Sequence, residues 1–317
     1  MKEIKIVFMG TASFSKQVLE SLLENNYNIV GVVTQPDRLV GRKKVLTMSD
    51  VKQVALKHQI PVLQPERIKT DYQAIIDINP DLIITAAYGQ IVPEALLQTP
   101  RLGCINVHAS LLPKYRGGAP VHYAIINGDA TTGVTIMYMA KKMDAGNIIS
   151  SQEVVIGNEE TTGELYDRLS EVGAKLLIDT LPSIIEGTNA SIVQDETLVT
   201  YAPTISRADE KLDFNQSATA IYNRVRGLNP WPGAFTTYQG KTVKIWGGMV
   251  HQCANAKAHH SHQENGTIVK IFKDAIGVKT GDGIYLITDL QIAGKKRMLV
   301  KDYLNGNNIF TVDSKFE

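Results

Sequence analysis

Asp81-Leu-Ile-Ile-Thr-Ala-Ala-Tyr88 and, a little further on, Gly103-Cys-Ile-Asn-Val-His108 are the segments whose reading decides the fold. The first is apolar at nearly every position. A strand with one wet face would alternate apolar and polar residues, so a run of this kind is expected to be covered on both faces. Outward from it, Ile4-Lys-Ile-Val-Phe-Met9, Asn28-Ile-Val-Gly-Val-Val-Thr34, Pro61-Val-Leu63 and Val134–Met139 read as further strands. Helical spacing occurs between them: Val18, Leu19, Leu22 and Leu23 after a cap expected at Ser13, then Ser49–Lys57, Tyr72–Ile78, Val121–Asn127 and the long Thr161–Glu186. Strands alternating with helices predict an α/β chain built on a Rossmann-like, doubly wound, mostly parallel sheet.

The texture changes after residue 188. Residues 189–206 have little periodicity and are expected to link two modules, 1–188 and 207–317. Beyond one helix at Ala218–Arg226, the second module reads as short strands: a hairpin over Phe235–Trp246 turning at Gln239-Gly240, then Thr267–Phe272, Ile276–Thr280 and Ile284–Leu290. Short, evenly spaced strands of this kind predict a small antiparallel β-barrel of OB-like type.

Composition removes several classes. The 317 residues are 44% hydrophobic and 21% charged, which speaks against disorder and fibrous repeats. Two cysteines, Cys104 and Cys253, show no ligand spacing, so neither a disulfide framework nor a structural metal is expected. His259, His260 and His262 lie in a polar stretch without companion ligands, and no metal is expected there either. The N-terminal residues mix charge into a short apolar run, and no stretch of about 18 apolar residues occurs; a soluble cytoplasmic protein, without membrane contact, is expected. Net charge is +1, yet residues from Arg207 onward hold 15 Lys and Arg against 10 Asp and Glu, a mildly basic module on an acidic body. The first strand runs into Gly10-Thr-Ala-Ser-Phe-Ser15 with a single glycine, and the second ends in Val33-Thr34-Gln35 without an acidic residue. Neither the dinucleotide fingerprint nor a phosphate loop is present, so oxidoreductase and NTPase chemistry recede.

The densest chemical signal lies between residues 104 and 147. Asn106 and His108 are two apart at the carboxyl end of a strand, hence on one face, where open α/β sheets place their sites. Ser110-Leu-Leu-Pro-Lys-Tyr-Arg-Gly-Gly-Ala-Pro120 follows as a loop shaped by proline and glycine, with Leu112–Pro113 a candidate cis bond. Asp144 stands in a turn past the next strand. An Asn, a His and an Asp converging at strand ends can form an acyl-transfer site with no nucleophilic side chain. Cys104, although on the same face, reads as core, as do Trp231 and Trp246.

The block Asn106-Val-His-Ala-Ser-Leu-Leu-Pro-Lys-Tyr-Arg-Gly-Gly-Ala-Pro120, with Met143-Asp-Ala-Gly146, resembles the 10-formyltetrahydrofolate-dependent formyltransferases. Thr34-Gln-Pro-Asp37, Gly41-Arg-Lys-Lys44, Tyr201–Ser206, Leu228-Asn-Pro-Trp-Pro232 and Leu290–Lys296 extend the resemblance over nearly the whole chain, and toward those members that act on methionyl-tRNA. The chain departs from the pattern at Ala109, Tyr115 and Gly118, none of them a reacting group. The resemblance implies an enzyme, expected as a monomer, that moves the formyl group of 10-formyltetrahydrofolate to the α-amino group of charged initiator methionyl-tRNA. It implies Asn106, His108 and Asp144 as catalytic residues acting without a covalent intermediate. It implies a folate site at Ser110, Leu111, Leu112 and Pro113 with Tyr88, Gly89 and Ile91. It also implies that Arg38, Arg42, Lys43 and Lys44 hold the tRNA acceptor end, in a loop expected to order only on binding. Formyltransferases acting on sugar amines or on glycinamide ribonucleotide would share the catalytic set; the basic loop and the basic C-terminal module favour tRNA.

Overall fold

The computed structural model describes residues 4–41, 44–251, 262–306 and 308–317. It divides into two compact units: one of residues up to Pro120 with Thr131–Val155 and Tyr166–Pro203, the other of Val121–Ala130, Ile156–Leu165 and Thr204–Glu317.

In the first unit β1 (Ile6–Gly10), α1 (Ser13–Glu24) and β2 (Ile29–Val33) open the chain. A small hairpin of β3 (Arg38–Val40) and β4 (Val45–Thr47) precedes α2 (Asp50–Lys57), β5 (Val62–Leu63), α3 (Gln73–Asp77) and β6 (Leu82–Ala86). Then come α4 (Glu94–Leu97), β7 (Cys104–His108), α5 (Pro120–Ile126), β8 (Thr131–Tyr138), β9 (Ile148–Val155) and the long α6 (Thr162–Glu186). The main sheet has the order β5-β2-β1-β6-β7-β8-β9. Its strands are parallel from β5 through β7, and β8 and β9 are added antiparallel. Every residue of β1 and β6 is buried, the two-sided covering that their continuous apolar runs demand.

Helix starts follow local chemistry. Ser49 caps α2 by accepting the Lys52 N–H at 3.1 Å. At α1 the expected cap differs: Ala12 occupies the cap position, and Ser13 is already helical and exposed. The hydroxyl that organises this turn belongs to Ser15, which is fully buried, accepts the Thr11 N–H and donates to the Ala86 carbonyl. Gly10 is needed there because a Cβ would come within 2.5 Å of the Ser15 Cβ and 2.9 Å of the Ala86 oxygen.

The second unit is an antiparallel sheet. After α7 (Ala218–Gly227), whose Ser217 cap accepts the Ala220 N–H, come β10 (Ala234–Tyr238), β11 (Lys241–Val250), β12 (Ile268–Ile271), β13 (Ile276–Lys279), β14 (Ile284–Ile292), β15 (Met298–Leu299) and α8 (Val300–Leu304). Strand order is β10-β11-β14-β13-β12, with β15 on β14. Gln239 and Gly240, at φ +49° and +71°, make the tight turn between β10 and β11, the pair of left-handed residues that a two-residue hairpin prefers. The C-terminal residues join the sheet's two outer strands. Ile268 and Phe316 donate to the carbonyls of Ser314 and Gly266 on one side, and Glu317 exchanges two bonds with Thr237 on the other. The edges are thereby satisfied, giving a small barrel-like fold. Ile221, Val225, Leu228, Val243, Ile245, Tyr285, Ile287, Phe310 and Phe316 form its core.

Trp231 departs from its expected place in the core: it is 43% exposed, with its ring edge-on to His122. Trp246 is partly buried, between the Lys244 ammonium and the Arg297 guanidinium at 5.2 and 5.0 Å. The two fill the Pro-Trp-Pro turn and a strand face rather than an interior, so their amphipathic rings remain partly wet. Among the described residues no helix is long and apolar enough to cross a membrane.

Candidate active site

Alternation along β7 puts Cys104, Asn106 and His108 on one face. Their depths differ. Cys104 is 3% exposed within the apolar cluster of Val7, Met9 and Ile83, and burial pushes its thiol up to about 12. It is a core residue, not a nucleophile.

Asn106 is partly buried, opposite Thr85 of β6 in the parallel register. The Thr85 hydroxyl, itself buried, donates to Asn106 Oδ1 at 2.8 Å. With the amide oxygen engaged, Nδ2 is the end left to donate.

His108 is 5% exposed at the end of β7. Its Nε2 lies 3.0 Å from the Tyr115 carbonyl, and its Nδ1 lies 3.9 Å from Asp144 Oδ2. A carbonyl only accepts, so Nε2 carries a hydrogen, and Nδ1 is the nitrogen open to proton exchange. Asp144 approaches from the turn after β8 in the left-handed conformation, φ +50°, and its Oδ2 accepts the Gly117 N–H at 2.8 Å. The chain thus brings His108 and Asp144 together across about 35 residues of sequence, with Asn106 two residues back on the same strand.

The loop after His108 is stitched to β8. Thr135, fully buried, donates to the Ser110 carbonyl at 2.7 Å and accepts the Leu112 N–H at 3.2 Å. The Ser110 hydroxyl is buried and committed to the Lys114 carbonyl at 2.6 Å, so Ser110 is not a nucleophile either. Leu111 is partly buried with its side chain over Gly133, Leu112 is buried, and the Leu112–Pro113 peptide is cis.

Tyr88, Gly89 and Ile91 follow β6. The Tyr88 ring is buried in the cluster of Val7, Met9 and Val33, where burial pushes its hydroxyl up to about 12. What Tyr88 presents at the strand end is its carbonyl, which accepts from Thr11 Oγ1 at 3.0 Å and Gln35 Nε2 at 3.2 Å. The ring packs beneath the sheet end, and the backbone of Tyr88 is what lies at the strand end. Gly89 is exposed at φ +89°, and Ile91 is 72% exposed.

Of the basic cluster, Arg38 and Lys44 are exposed and have no carboxylate partner among the described residues, whereas Arg42 and Lys43 lie outside the described residues. The flanking residues form a hairpin where a plain loop is expected. Arg38, Leu39 and Val40 pair with Thr47, Leu46 and Val45, because residues of strand propensity face each other across the turn. Leu39 and Leu46 are 63% and 65% exposed there.

Two family models match the chain: the formyl transferase domain over residues 4–181 and the formyl transferase C-terminal domain over residues 204–308. The chain belongs to the formyl transferase family. It is 52% identical over 305 residues to a methionyl-tRNA formyltransferase of Staphylococcus epidermidis, covering 95% of this chain and 96% of that one. It is 53% identical over 307 residues to one of Bacillus thuringiensis, covering 96% of each. Solved structures share the fold at lower identity. A sugar 3N-formyl transferase in the presence of dTDP and 5-N-formyl-THF matches with a TM-score of 0.67 at 20% identity, over 93% of this chain and all of that one. HypX from Aquifex aeolicus in complex with tetrahydrofolic acid matches with 0.65 at 17%, over 96% of this chain and 47% of that one. The chain is accordingly a formyl-transferring enzyme.

Residues that sequence reading passed over support the site's geometry. Thr85 carried a signal, as the polar residue inside an apolar strand. Thr135 carried less. Gln194 and Glu196, in the stretch read as a linker, carried none.

Proposed function

We propose that this enzyme transfers the formyl group of 10-formyltetrahydrofolate to the α-amino group of charged initiator methionyl-tRNA, in the cytoplasm, as a monomer and without a metal. The reading rests above all on one observation: His108 Nδ1 and Asp144 Oδ2, 3.9 Å apart, at the strand end that also carries Asn106.

In this reading the amine nitrogen, neutral, attacks the formyl carbon and the carbonyl electron pair moves to oxygen. Asn106 Nδ2 donates to that oxyanion, a type of contact worth about 3–4 kcal/mol in transition-state stabilisation. An N–H of the attacking amine, placed between Nδ1 and the Asp144 carboxylate, can bond both. It passes its proton to Nδ1 while Asp144 steadies the resulting imidazolium. Collapse of the tetrahedral intermediate breaks the bond to folate N10, which receives the proton from Nδ1. The buried Cys104 and the committed Ser110 leave direct transfer as the chemistry these residues support. The folate is assigned to the loop Ser110–Pro113 and to the strand end at Tyr88, Gly89 and Ile91. The tRNA is assigned to Arg38, Arg42, Lys43 and Lys44, whose charge suits an acceptor end.

The test is incubation with 10-formyltetrahydrofolate and charged initiator tRNA, beside uncharged tRNA, free methionine and an amino sugar nucleotide. Formyl incorporation confined to methionyl-tRNA is expected. Equal formylation of free methionine, or preference for the sugar amine, would overturn the substrate assignment.

A further inference from the structure

We infer that Gln194 is a positioning residue, one that sets the separation of His108 and Asp144. The inference rests on the catalytic reading of that pair. Gln194 lies between the two matched family stretches, which end at 181 and resume at 204.

Gln194 is 5% exposed, and its amide is used to capacity. Oε1 accepts from Arg116 Nε at 3.0 Å and from Arg116 Nη2 at 2.8 Å. Nε2 donates to the carbonyls of Asp144 and Gly146, both at 2.8 Å. On one side it therefore grips the turn that carries Asp144. On the other it grips Arg116, whose immediate neighbours complete the site: the Tyr115 carbonyl receives His108 Nε2, and the Gly117 N–H binds Asp144 Oδ2.

Both halves need holding. Tyr115 and Asp144 are non-glycine residues in the left-handed region, at φ +61° and +50°, which persists where surroundings over-determine it. The same strap secures the loop along its length. Tyr115 N–H donates to Thr200 Oγ1 at 2.9 Å, Arg116 N–H to the Thr200 carbonyl at 2.9 Å, and Ala202 N–H to the Arg116 carbonyl at 2.8 Å. It passes so close that a Cβ on Gly117 would come within 2.4 Å of the Ala202 oxygen. Outside Gln194, Glu196 bridges Arg116 Nη2 at 2.9 Å and Lys142 Nζ at 2.6 Å. Arg116 is wholly buried, and its Nη1 has no partner among the described residues. The guanidinium is held for the edge that meets Gln194.

The experiment is a double-mutant cycle on the full chain, with kcat and both KM values measured for 10-formyltetrahydrofolate and methionyl-tRNA. Gln194→Leu is expected to lower kcat about tenfold or more while both KM values stay within about twofold. Gln194→Glu keeps the acceptor for Arg116 but loses both donations, so it should fold and still lose kcat. In an Asp144→Asn background the substitution at 194 should cost less than about threefold, because its effect runs through Asp144. Equal losses in both backgrounds, a loss confined to KM, or full kcat in the folded Glu variant would overturn the inference while leaving the catalytic reading intact. Full activity of Asp144→Asn alone would instead overturn the catalytic reading, and the role of Gln194 with it.

Discussion

The candidate site at the carboxyl ends of β6 and β7, with the turn after β8, and the hairpin of β3 and β4 both belong to the first unit, and they treat polar groups in opposite ways. In the site the polar side chains are buried or partly buried and held by protein: Asn106 by Thr85, His108 by the Tyr115 carbonyl, Asp144 by Gly117. In the hairpin Arg38, Leu39, Lys44 and Leu46 all stand exposed. At its base the side chains are paired: Lys52 bonds Asp37 at 2.7 Å, and with Gln64 holds the Asp37 carboxyl below the usual carboxylate range. The difference follows from what each region must do. A reacting proton needs donors fixed before the reaction begins. A polyanion is gripped by charges that need only be near.

Substitutions can break this contrast. The largest effect is expected for His108→Ala, a fall in kcat of about 10³- to 10⁴-fold by loss of the proton carrier; steady-state formylation measures it, and a loss confined to KM would remove His108 from the chemistry. Asn106→Ala should lower kcat about 10²- to 10³-fold with the fold intact. An unchanged pH profile alongside that loss would mark its role as donor and not proton carrier. Thr85→Val, nearly isosteric, frees the Asn106 amide to turn and should cost roughly 3- to 10-fold in kcat. Equal kcat would mean that Asn106 is oriented by something else.

The hairpin should answer to salt and not to chemistry. Replacing Arg38 and Lys44 together by alanine should raise KM for tRNA a few-fold and flatten the slope of log affinity against log salt by about one to two. The thermal midpoint should barely move, since exposed substitutions of this kind stay within about 0.5 kcal/mol. A change in kcat larger than the change in KM would draw the hairpin into the catalytic site and erase the contrast.

Much of this was legible in residue order. Strands covered on both faces, such as Leu82–Ala86, announce themselves by apolar continuity, and Asn106 and His108 announce their shared face by spacing. The edge strand Ile148–Val155 did not: its outer edge is bridged at Ile148, by Ile192, half of its residues are exposed, and its centre reads Ser-Ser-Gln-Glu. The β3–β4 pairing was hidden because the charges of its turn outweigh three-residue strands in any composition window. Gln194 was invisible for a different reason. It meets Asp144 across 50 positions, and a single glutamine in a polar stretch has no period to betray it. Closure of the barrel by the last five residues is likewise a long-range event, carried by Phe316 packing against Tyr238 and Phe214.

The most direct trial of direct transfer is a single-turnover reaction with formyl-labelled 10-formyltetrahydrofolate in excess enzyme, quenched before and after methionyl-tRNA is added. Label should pass from folate to aminoacyl-tRNA with none covalently attached to the quenched protein at any time. Labelled protein that forms without acceptor and then chases into formylmethionyl-tRNA would contradict the account.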